Sequence, residues 1–161
     1  MDVNHLPPDD LIFEMFRSHK HFGLKMRHEL NRAERYCEFI SLVTITIKGG
    51  DQISSEGGKN ARFGSLDDLH EGLRKVICKS IRLTDYVSGI ENDRMGLLLV
   101  ETPRNGAETL INRIKPAVSG YFSSQTEEER PRDIAYSVLS FPSDLGTKEE
   151  FSKAIHDFVQ E

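Results

Sequence analysis

Two apolar runs set the strongest limit on what this chain can fold into: "FISLVTITI" from Phe39 to Ile47, and "GLLLV" from Gly96 to Val100. Both are of strand length, and the first is rich in β-branched residues. The first is nearly continuous in apolar residues, so it reads as a strand buried on both faces. Such strands need helices to cover them. Neither run approaches the roughly 18 apolar residues that would span a bilayer.

The segments between and around these strands supply the helices. Apolar side chains at Met15, Phe22, Met26, Leu30, Ala33 and Cys37 predict an amphipathic helix over about residues 9 to 37, with Gly23 as a candidate break. Its first half, rich in Phe and His, reads as a linker or a dimerising arm, so residues 1–23 form an N-terminal extension and residues 24–161 the domain proper. "KGGDQISSEGGKNARFG" reads as a loop. Its Gly57-Gly58-Lys59 is not a phosphate loop, because Ile53 stands where the first glycine belongs and Asn60 where a magnesium-holding hydroxyl belongs.

Ser65 with Asp68 predicts the start of a second helix, to residue 82, whose apolar face is Leu66, Leu69, Leu73, Val76, Ile77 and Ile81. "RLTDYVSGIENDRMGLLLVET", Arg82 to Thr102, reads as strand, turn, strand. A third helix over about 107 to 122 buries Leu110, Ile111, Ile114 and Val118, with Pro116 expected to bend or tighten it. "SSQTEEERPR" is a charged loop, 133 to 141 a strand, and Thr147 with Glu150 caps a last helix burying Phe151, Ala154, Ile155 and Phe158. The order contains a βαββαβ core. The expected fold is α+β and ferredoxin-like, a central antiparallel sheet flanked by helices.

Length and charge narrow the function. The chain has 161 residues, enough for one domain with a real core. Its net charge of −5 argues against a nucleic-acid binder that works through a broad positive field, while leaving room for a small anion held by local arginines. The N-terminus lacks the basic-then-apolar pattern of a secretion signal, so a cytoplasmic protein without a membrane segment is expected. Cys37 and Cys78 lack metal or redox spacing and read as reduced core thiols. The histidines, including His19, His21 and His28, show no metal spacing and read as solvated.

Three segments in order carry a family resemblance. "ELNRAERYCEFISLVTITI", "RLTDYVSGIENDRMGLLLVET" and "IAYSVLSFPSD" with "EEFSKAI" resemble the opening helix and strand, the signature segment and the closing strand and helix of the GGDEF domains, bacterial signalling domains that act as diguanylate cyclases. The resemblance covers about Leu24 to the end. It places Glu91, Asn92, Asp93, Arg94 and Met95 where the signature Gly, Gly, Asp/Glu, Glu and Phe stand in active members, so only the middle position is kept. It also places Thr44 and Thr46 where active relatives carry the carboxylates that hold magnesium. Neutral hydroxyls are poor ligands for a hard divalent cation, and Asp93 alone cannot assemble a two-metal site. A degenerate domain with no catalytic residues, no metal site and no cofactor is expected.

What the resemblance implies is kept elsewhere. Arg82-Leu83-Thr84-Asp85 lies five residues before the pentad, the spacing of the family's Arg-x-x-Asp inhibitory site for cyclic di-GMP, and Arg113 stands where a further arginine is expected. An arginine fork can donate to guanine O6 and N7, and a carboxylate can accept from the amino and imino edge. The expectation is a catalytically silent cyclic di-GMP receptor, with a homodimer or a signalling protein as its other partners. A scaffold without a nucleotide ligand is the alternative, and a weak cyclase is the remote one. From the residues alone, Arg82 fits a helix end, Asp85 its partner, and Asn92 and Asp93 an ordinary turn.

Overall fold

The computed structural model describes residues 14–48, 66–125, 133–142 and 148–159. Four strands form one sheet: β1 (Ile40–Lys48), β2 (Tyr86–Val87), β3 (Arg94–Val100) and β4 (Asp133–Phe141). Their spatial order is β2-β3-β1-β4 and every neighbouring pair is antiparallel. This is the expected ferredoxin-like α+β arrangement, with the two apolar runs, β1 and β3, side by side in the middle. Among the described residues four helices cover it: α1 (His19–Tyr36), α2 (Leu66–Cys78), α3 (Arg104–Ser123) and α4 (Lys148–Val159).

The double covering explains the unbroken apolar strands. Val43, Ile45 and Ile47 of β1 and Met95, Leu97 and Leu99 of β3 face α2 and α3. Ile40, Leu42 and Leu98 face the other way, toward Phe22, Met26 and Leu30 of α1 and Phe151, Ile155 and Phe158 of α4. Alternate residues therefore serve two cores, and each must be apolar. Gly96 faces the second core because nothing larger fits: a Cβ there would lie 2.8 Å from both Phe22 Cε1 and Phe158 Cζ.

Several expectations shift. Gly23 does not break α1; it sits inside the helix under the Val159 side chain, where a Cβ would come within 2.3 Å. The helix instead begins at Ser18, whose hydroxyl accepts from His21 N–H. Phe16, His19 and Phe22 are buried against the sheet and α4, so the packed unit reaches N-terminal of residue 24. α2 ends at Cys78 rather than at 82, and α3 begins at Arg104 and runs through Pro116. Cys37 and Cys78 are exposed rather than core thiols, and Cys37 closes α1 in the left-handed conformation, φ 56°. The expected loop at 49–65, the Gly57-Gly58-Lys59 segment, the Ser65 and Thr147 caps and the charged loop at 126–130 lie outside the described residues.

Candidate functional site

The hairpin tip is a two-residue turn. Glu91 and Arg94 exchange both backbone hydrogen bonds at 3.1 Å, and Asn92 and Asp93 between them have φ of 53° and 61°. Two left-handed central residues make a type I′ turn, which suits the twist of a hairpin, and Asn and Asp are the side chains that best tolerate it without glycine. The Asp93 carbonyl accepts from Ile47 N–H at 2.7 Å, which locks the tip onto β1. The side chains of Asn92 and Asp93 are exposed, whereas Met95 is fully buried in the core.

The two charged residues of the tip are used internally. Glu91 Oε1 accepts the His19 backbone N–H at 3.2 Å, supplying a second side-chain acceptor to the first turn of α1 beside the Ser18 hydroxyl. Arg94 Nη2 donates to the carbonyls of Asp157 and Phe158 at 3.0 and 2.8 Å, and its guanidinium lies 5.6 Å from the Phe158 ring centre. A carboxylate at a helix N-terminus and a guanidinium at a helix C-terminus both complement the helix dipole. Arg94 thus closes α4. Across the sheet its register partner is Thr46, with Thr44 opposite Gly96, so the positions of the expected metal carboxylates present hydroxyls and a cation. The donor set does not fit a pair of magnesium ions.

His19, which the sequence reading leaves in solvent, is buried between these two anchors. It stacks on Phe158 with ring centres 4.4 Å apart, its Nε2 lies 2.8 Å from the Gly89 carbonyl, and its Nδ1 is 3.7 Å from Glu91. Burial lowers its pKa below 6.5; the Gly89 carbonyl and Glu91 oppose the shift and Arg94 adds to it. Arg74 is a second residue missed from sequence. It is fully buried on α2 and donates to the Ser88 and Val87 carbonyls at 3.1 and 3.0 Å, beside Glu71 at 3.6 Å; burial lowers its pKa to about 10. It serves the carbonyls of the edge strand β2. Its position three residues before Ile77 on the apolar face is the signal that could have identified it.

At the opposite end of β3, Arg82, Asp85 and Arg113 line one pocket of about 290 Å³ with Leu99, Glu101, Thr102, Pro103, Gly106 and Leu110. The turn after α2 supplies Arg82 and Asp85, and α3 supplies Arg113. Asp85 has a side chain only 3% exposed and its carboxylate is fully occupied. Oδ2 accepts from the Arg82 backbone N–H at 3.1 Å and Nε at 3.3 Å, and Oδ1 accepts from Arg82 Nη2 at 3.2 Å and Val100 N–H at 3.2 Å. Arg82 Nη2 also donates to the Val100 carbonyl and to Thr102 Oγ1. The Arg82 side chain is nonetheless 53% exposed. Arg113 is exposed and tethered through Nη2 to the Ser80 carbonyl at 2.6 Å. Glu101, unnoticed in the sequence, enters the pocket wall on a left-handed backbone with φ 50°.

No family model matches the sequence. Solved structures with the same fold are GGDEF domains. The GGDEF domain of DgcB from Caulobacter crescentus in complex with c-di-GMP superposes with a TM-score of 0.65 at 12% identity, over 87% of this chain and 76% of that one. The FimX GGDEF domain from Pseudomonas aeruginosa gives 0.63 at 12% identity, over 88% and 85%. The active GGEEF domain of a diguanylate cyclase from Vibrio cholerae gives 0.58 at 17% identity, over 80% and 78%. In sequence, the chain is 22% identical over 144 residues to the uncharacterized membrane protein YdaK of Bacillus subtilis, a match over 88% of this chain and 48% of YdaK. The chain thus spans about half the length of that relative. Among the described residues no helix is long and apolar enough to cross a membrane.

Proposed function

We propose that this domain is a catalytically silent member of the GGDEF group that binds cyclic di-GMP through Arg82 and Arg113 and passes its presence on as a signal. The observation that carries the reading is the single pocket shared by Arg82, Asp85 and Arg113, residues from two elements that the Arg-x-x-Asp resemblance brought together in advance. Two guanidinium groups on one pocket wall suit a ligand rich in phosphate and purine acceptor atoms. The DgcB domain, solved with c-di-GMP, has the same fold and lends the proposal its ligand class.

The proposed silence rests on donor chemistry. Thr44 and Thr46 offer no carboxylate, Glu91 puts side chain and negative charge where the resemblance expects glycine, and Arg94 is engaged on α4. Each removes a part that holding a triphosphate with divalent ions requires.

One observation favours a second reading. Arg82 is already bonded to Asp85, Val100 and Thr102, so a ligand must share or displace bonds the fold has made. A scaffold that binds other proteins and no nucleotide would look the same at this residue. The complex of the diguanylate cyclase SiaD with its activator SiaC, whose cyclase shares this fold at a TM-score of 0.58, gives that alternative a partner class. Calorimetric titration with cyclic di-GMP separates the two: binding by the unaltered chain that weakens in Arg113→Ala supports the receptor, and no heat at high micromolar ligand leaves the scaffold.

A further inference from the structure

We propose that Asp85 is a positioning residue for Arg82 and does not read the base, so that the pocket selects its ligand by acceptor atoms alone. The inference rests on the receptor reading above and departs from what the resemblance assigns to this aspartate. An ionised carboxylate offers about four lone-pair directions. All four are taken inside the protein, three by Arg82 and one by Val100 N–H. The group is almost wholly removed from solvent, at 3% exposure. To accept the amino and imino hydrogens of a guanine it would have to give up at least one of these bonds while staying buried, which costs more than a new bond returns.

What the carboxylate does instead is fixed by the same contacts. It pins the Arg82 backbone, Nε and Nη2 together and ties them to the end of β3 at Val100, so the guanidinium plane is set before any ligand arrives. Pre-setting a long side chain removes the ordering cost that binding would otherwise carry. Arg82 Nη1 takes no part in these bonds, and Arg82 and Arg113 line the pocket together as its cationic side chains. The other carboxylate of the wall, Glu101, is exposed, where a bond to a base edge replaces one to water at little net gain. A donor-only face accepts O6, N7 and phosphate oxygens and rejects a base that presents an amine at position 6.

Three ligands and one variant test this. Cyclic di-IMP keeps O6 and N7 and lacks the 2-amino group; cyclic di-AMP places a donor at position 6. Titrated against the unaltered chain, cyclic di-IMP is expected to bind within about threefold of cyclic di-GMP, and cyclic di-AMP to bind at least about thirtyfold more weakly. In Asp85→Asn both guanine-type ligands weaken together, by about tenfold, with their ratio unchanged. A preference of tenfold or more for cyclic di-GMP over cyclic di-IMP overturns the proposal, whether or not Asp85→Asn abolishes it. If neither guanine-type ligand binds, the receptor reading fails, and the holding role is decided without ligand by nitrogen NMR of the Arg82 Nε–H. Slow exchange with water in the unaltered chain, lost in Asp85→Asn, supports it; fast exchange in the unaltered chain overturns it.

Discussion

Strand β3 carries a cluster of charged residues at each end, and the two clusters are used in opposite ways. At its Arg94 end, Glu91 caps α1 and Arg94 closes α4. At its Val100 end, Asp85 is likewise consumed, but it serves to present Arg82, which stays half exposed beside the exposed Arg113. Both ends are equally rich in charge in the sequence. What separates them is whether the last polar atom of the chain of contacts points at the protein or at water. The hairpin tip therefore has a structural use, since its charges tie the first and last helices to the sheet.

The contrast is broken most severely by Arg94→Ala. It removes two charge-assisted bonds to helix carbonyls and the contact with Phe158, at about 1 to 1.5 kcal/mol for each bond, so a loss near 3 kcal/mol is expected. For a domain of this size that is roughly 6 to 12 °C in melting temperature, readable by calorimetry. Cyclic di-GMP affinity, measured where the variant is folded, is expected to stay within about twofold, because Arg94 sits at the far end of β3. A large affinity loss would mean that the two ends act as one site.

Arg82→Ala comes next and touches both properties. Affinity is expected to fall about thirtyfold, near 2 kcal/mol, for the loss of an arginine fork. Stability falls as well, by about 1 to 2 kcal/mol, since buried Asp85 loses its two side-chain donors on the guanidinium. Arg113→Ala is the cleaner probe. Its only described bond is to an exposed carbonyl, so melting is expected to change by less than about 2 °C while affinity drops five- to tenfold. An unchanged affinity in Arg113→Ala, with binding by the unaltered chain intact, would move the ligand away from this pocket.

The sequence carried the architecture because the fold is written in apolar spacing: "FISLVTITI" reads as a strand buried on both faces, "GLLLV" as a second strand, and the helices follow from their periods. The family resemblance, not periodicity, groups Arg82, Asp85 and Arg113, which line one pocket. The sequence failed where a polar side chain finds a partner far along the chain. Glu91 meets His19 72 residues away and Arg94 meets Phe158 64 residues away, separations over which no periodicity operates. His19 reads as solvated for want of metal spacing, yet Phe158 and the Gly89 carbonyl enclose it. Arg74 escapes notice because nothing local announces that the carbonyls of Val87 and Ser88 need donors.

The smallest expected effect sharpens the account of the tip. His19 titrates below 6.5 in the folded chain because burial disfavours the imidazolium. The unfolded chain, with its histidine near the ordinary value, takes up the proton first as pH falls, so protons favour the unfolded state. Stability is therefore constant above about pH 7 on this account and declines as pH falls from about 6.5 toward the folded-state value, by no more than about 1.4 kcal/mol per pH unit. Glu91→Gln removes the charge that partly opposes the shift while keeping an acceptor for the His19 N–H. Its cost at pH 8 is expected below about 1 kcal/mol, because Glu91 is half exposed, and the decline on acidification should steepen. His19→Gln should flatten that decline relative to the parent. A melting profile between pH 5 and 8 that is the same in His19→Gln would place the proton uptake elsewhere and remove His19 from the contacts that hold α1 and α4 to the tip.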